Sequence, residues 1–170
     1  MVLIRHRYAD YKGEAAIIVE YTVAYKDVFS MKYLYSLMHQ WLVDEGYAPE
    51  DDSKFSEAFY AQRESPISGK EIWVMWRLSK ETENPLFRYD VDIDIHVMGM
   101  KEVEVILQGK KVKADKGEVE IVVRGNIVTQ FEKWEGNSFL KPLKSTIVKK
   151  IYGGKYAELK VVLVKDMYDF

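Results

Sequence analysis

The stretch "LFRYDVDIDIHV" at 86–97 alternates with a period of two. Asp90, Asp92, Asp94 and His96 fall on one side of the alternation, and Val91, Ile93, Ile95 and Val97 on the other. Successive side chains of a β-strand point to opposite faces, so this run fits a strand with an apolar face on a core and a polar face turned away from it. In such a strand Asp90 and His96 are roughly 20 Å apart and cannot hold one ion together. A metal site would have to use neighbours, from Asp92, Asp94 and His96, with help from an adjacent strand. The simpler reading is that the acids face water or cross-strand cations, for which Arg77, Lys111 and Lys113 are placed on flanking segments. We adopt the simpler reading and assign no catalytic residue and no metal ligand.

The same period appears elsewhere. In "EAAIIVEYTVAYK" (14–26), Ala15, Ile17, Val19, Tyr21, Val23 and Tyr25 share a face. The preceding "VLIRHRY" is a candidate partner strand. Beyond a loop at 48–54, the expected strands are 57–64, 71–80, 86–97, 102–113 and 118–134. They are separated by turns at "SPISGK", "ETENP", "MGMK" and "ADKG", and Gly125 marks a candidate bulge. Residues 71–80 are apolar on both faces. Ile72, Val74, Trp76 and Leu78 alternate with Trp73 and Met75, so both sides need cover.

Two segments switch to helical spacing. Leu34, Leu37, Met38, Trp41 and Leu42 form one stripe, Ser30 fits an N-cap and Gly46 a stop, which predicts a helix over about 31–44. In the last thirty residues Val148, Ile151, Tyr152, Leu159, Val162, Leu163 and Phe170 fit one helical face, with Pro142 in the first turn and Gly153 and Gly154 interrupting it. The valines of 157–164 would also suit a strand; we take the segment as helix. It reaches Phe170 without a capping residue, which leads us to expect a longer natural chain.

The 170 residues are 48% hydrophobic and 31% charged, which suits one domain with a substantial core. The net charge of −2 gives no global pull toward nucleic acid. The Lys-rich hairpin at 109–117 lacks the interleaved aromatics on which bases stack. The absence of cysteine removes disulfides and thiolate chemistry and fits a cytoplasmic home. Abundant Lys, Glu, Ile, Val and Tyr would suit a thermophile. No apolar run approaches the roughly 20 residues needed to span a bilayer. The P-loop, GxSxG, HExxH and GxGxxG patterns are missing.

The expected architecture is α+β. A curved antiparallel sheet of about six or seven strands carries one helix in the N-terminal half and a C-terminal helix packed on it. This order resembles the START/Bet v 1-like (helix-grip) superfamily, with one helix after the first strand where that superfamily has two. The resemblance implies a sheet that wraps a C-terminal helix around an apolar cavity. From it we expect a non-enzymatic binding domain without a cofactor. Its cleft, between the sheet and the C-terminal helix, would take a hydrophobic small molecule or peptide, with Phe59, Tyr60, Trp73, Met75 and Trp76 as wall candidates. The alternatives are an interaction protein that buries the doubly apolar strand and the Tyr-rich first strand in a homo-oligomer or partner, and a metal-dependent enzyme using Asp92, Asp94 and His96.

Overall fold

A computed structural model describes residues 14–130 and 153–170. The element order is β1 (Glu14–Phe29), α1 (Met31–Asp44), a 3-10 turn at Asp52–Lys54, β2 (Glu57–Ser65), β3 (Gly69–Glu81), β4 (Phe87–Leu107), β5 (Lys110–Thr129) and α2 (Gly153–Asp169). The strands form one antiparallel sheet in the order β1-β5-β4-β3-β2. The class is α+β, as expected. The described sheet has five strands, fewer than expected: one candidate strand lies outside the described residues, and two glycine-bearing segments, read differently, remove another.

"MGMK" is not a turn. β4 runs straight through it with a bulge, Gly99 and Met100 together facing Gly117 of β5. A Cβ on Gly117 would sit 3.0 Å from the Met100 Cα, so the glycine of "ADKG" serves a close backbone approach rather than a hairpin. The hairpin falls instead at Gln108 and Gly109, whose φ angles of 51° and 79° are the two positive values of a tight two-residue turn. The three strands expected at 86–97, 102–113 and 118–134 are thus two long ones, and the hairpin divides 102–113 between them. The candidate strand before residue 14, and Pro142, Val148, Ile151 and Tyr152, lie outside the described residues.

Helix α1 matches its expected limits. Ser30 Oγ accepts from the Tyr33 N–H, and the Met31 N–H donates to Asp115 Oδ2 at 2.9 Å, tying the helix start to β5. Met38 and Leu42 are buried, whereas Leu37, expected in the same stripe, is 53% exposed. It lies about 100° round the helix from Met38, at the edge of the contact arc.

Both helices cover one face of the sheet. That face carries Ile72, Val74, Trp76 and Leu78 of β3, Tyr89, Val91, Ile93, Ile95 and Val97 of β4, and Val119 and Val123 of β5, all buried. Trp76 meets Tyr35 of α1 and Phe55 edge-on, with ring centroids 4.9 and 5.0 Å away. Helix α2 presents Leu163 and Met167, four residues apart, to β5 and β1. Its close approach depends on Gly125, where a Cβ would lie 2.8 Å from Val19 and 3.1 Å from Met167. The bulge expected at Gly125 is on the partner strand, where Ile18 is the extra residue between Ile17 and Val19. Trp73 and Met75 sit on the opposite face, so neither helix covers them.

Candidate functional site

Two features stand out: a charged array on the face that neither α1 nor α2 covers, and a cleft beside α2.

The array grows from the alternation of β4. Asp94 pairs with Arg77 of β3 (Nη2 to Oδ1, 2.6 Å) and Arg124 of β5 (Nη1 to Oδ2, 2.6 Å). Its Oδ1 is buried, and the Arg77 contact is an ion pair rather than an aligned hydrogen bond. Arg124 continues to Glu20 of β1 at 3.0 Å, and Arg77 also reaches Asp92 at 3.8 Å. Arg88 holds Asp90 with two bonds of 2.7 and 2.9 Å, the bidentate geometry that makes such pairs strong. Farther along, His96 Nε2 is 3.1 Å from Glu71 Oε1, and Arg63 donates to Glu71 Oε2 at 2.6 Å. The His96 bond, with Arg63 adding to it, holds the Glu71 carboxyl below the usual carboxylate range. Trp73 stacks on His96 with centroids 5.1 Å apart.

Of the two expected surroundings, water or cations, these acids have cations: Asp90 is 0% exposed, and Asp92 is also buried. Arg77 was anticipated. Lys111 and Lys113 lie at the far hairpin, paired with Glu104 and Glu102. Asp92, Asp94 and His96 do not converge, and no group of three or more His, Asp or Glu side chains among the described residues is placed to share an ion. The array is a set of carboxylates already engaged by guanidinium groups, and it fits a structural lattice better than proton transfer.

The cleft measures about 750 Å³ and opens between the β3–β4 loop and α2. Leu86, Tyr89, Leu159 and Val162 give it an apolar lining. Lys80, Glu81, Glu83, Lys155 and Glu158 give it a charged rim. Lys80 and Tyr89 also belong to a polar cluster around Asp166. Tyr47 donates to Asp166 Oδ2 at 2.9 Å, and Lys80 Nζ lies 3.8 Å from the same oxygen and 4.7 Å from the centre of the Tyr47 ring. Tyr89 donates to the Leu159 carbonyl at 3.1 Å. Burial, reinforced by Asp166, pushes the Tyr89 hydroxyl up to about 12 and raises that of Tyr47 strongly.

The five wall candidates do not line this cleft. Trp76 is in the core, Tyr60 is exposed on edge strand β2, and Phe59, Trp73 and Met75 are on the charged face. The cleft residues carried weaker signals. Leu159 and Val162 lay on the predicted helical stripe, but "ETENP" read only as a connection. A smaller depression of about 670 Å³ beside α1 includes Tyr35, His39, Val43 and Phe55. No helix among the described residues is long and apolar enough to cross a membrane. No family model, curated protein or solved structure matches the chain.

Proposed function

We propose that this domain is a non-enzymatic binding module that takes an apolar small molecule or a short peptide segment into the cleft beside α2. The observation that carries the reading is the cleft itself: about 750 Å³, apolar inside, with a few polar groups gathered around Lys80 and Tyr89. Ligand sites usually have this volume and division of labour, with apolar walls supplying burial and sparse polar groups fixing orientation. The apolar body of a ligand lies between Leu86, Leu159 and Val162, and a polar end is directed to Lys80. Enclosure between sheet and C-terminal helix is also what the helix-grip resemblance implies.

Val162 allows a clean test, because it is 46% exposed and its replacement leaves the core intact. The environment-sensitive dye 8-anilinonaphthalene-1-sulfonate should bind the full chain with saturable fluorescence. Val162→Asp should weaken that binding by about tenfold, equivalent to about 1.4 kcal/mol, without lowering the melting temperature. Equal dye affinity in the variant would remove the cleft from consideration.

A further inference from the structure

We propose that β1 is a self-complementary docking edge, and that a second copy of this chain pairs with it antiparallel about a two-fold axis at Val23. The inference stands on the outer edge of the sheet and is independent of the cleft. β1 is the terminal strand in the sheet order, and among the described residues no strand pairs with its outer edge. From Thr22 to Asp27 every residue is exposed, including Val23 at 51% and Tyr25 at 49%. A long exposed edge of this kind is a template for another strand.

The sequence of the edge selects the partner. An axis at Val23 places Glu20 opposite Lys26 of the second copy, Tyr21 opposite Tyr25 and Thr22 opposite Ala24, each contact occurring twice. The paired residues keep the same parity, so backbone groups pointing away from β5 in one copy meet the corresponding groups in the other. Each charged residue also keeps to its own face of the joined sheet. Neighbouring registers with this symmetry lose the match. An axis at Thr22 sets Glu20 against Ala24, and one at Ala24 sets it against Val28.

The register extends a pattern already built into the sheet. Within one copy Asp92, Arg124 and Glu20 lie side by side across β4, β5 and β1, while Lys26 pairs with Glu118 at 2.9 Å. Across the seam the charges run Asp92, Arg124, Glu20, then Lys26 and Glu118 of the second copy, alternating in sign throughout. On the other face Tyr168, itself exposed, stacks on Tyr21 at 5.8 Å. Tyr25 of the second copy lengthens that aromatic row.

Sedimentation of the full chain at micromolar concentration, with matching charge variants, tests the proposal. The expected mass is twice the 19.9 kDa of the chain. K26E and E20K should each weaken association by about tenfold or more, since each converts two attractive contacts into repulsive ones, and the double exchange E20K/K26E should restore it. These reversals also disturb the Glu118 and Arg124 contacts, so a variant that leaves every charge in place is needed. In this cysteine-free chain V23C puts one thiol at the axis and should oxidise to a covalent dimer. Y25C should not, because its two copies would be about 13 Å apart along the strands. A monomer at all concentrations, a dimer insensitive to both reversals, or failure of V23C to cross-link would each overturn the proposal.

Discussion

Tyr47 couples the stability of the molecule to alkali. It is buried, and its hydroxyl donates to Asp166, so burial first and the neighbouring carboxylate second hold its proton well above the ordinary tyrosine value of 10.0. In the unfolded chain the same hydroxyl ionises near 10.0, while the folded protein retains the proton. The stability from this group is therefore complete below that pH and declines as pH rises beyond it. Tyr35 and Tyr89, both pushed up to about 12, act with the same sign. In urea unfolding followed across the alkaline range, Tyr47→Phe should lower stability at neutral pH through the lost hydrogen bond and make the alkaline decline shallower. An unchanged slope would show that the Tyr47 hydroxyl ionises freely in the folded state. None of this was legible beforehand: Tyr47 and Asp166 are 119 residues apart, and nothing local marks them as partners. The aspartates of β4 were half legible. Alternation placed them on one face and pointed to Arg77. Finding Arg124 required the β4–β5 register, which depends on where the hairpin turns.

At the scale of elements, α2 rests on the absence of a side chain. Gly125 has Val19, Met167 and Leu163 all close to the space a Cβ would fill. Gly125→Val should force the helix off the sheet and cost about 1–3 kcal/mol, the usual range for overpacking. Near-ultraviolet circular dichroism should change with it, because Tyr21 donates to the Met167 carbonyl and stacks on Tyr168. Wild-type stability in that variant would mean that α2 does not seat there. Helix α1 was readable to its ends because cap, stripe and stop agree. The long ribbon was misread because glycine has several structural roles. Gly99 and Gly117 serve a bulge, whereas Gly109 serves a turn, and only the pairing of the strands distinguishes them. Hydrophobic periods gave the faces of 71–80 but not which face the helices would take, so Trp73 and Met75 were assigned a cover that lies on the other side.

Across the whole molecule, the proposed cleft and the proposed seam use different parts of the framework. Val162 lines a hollow closed by the β3–β4 loop, and Lys26 stands on the sheet edge formed by β1. Dye binding should therefore survive K26E, and the sedimenting mass should survive Val162→Asp; sites that share no partners behave additively. A loss of both properties in either variant would mean that the two surfaces are one. The sheet order has a further consequence, for synthesis. Val23 of β1 finds Ile121 of β5, which is translated almost a hundred residues later. At ~5–20 residues per second the first strand emerges roughly 5–20 s before its partner exists. During that interval Ile17, Val23 and Tyr25 lack the β5 pairing they have in the finished sheet, so a nascent chain leaves this apolar stretch without that partner until β5 is made.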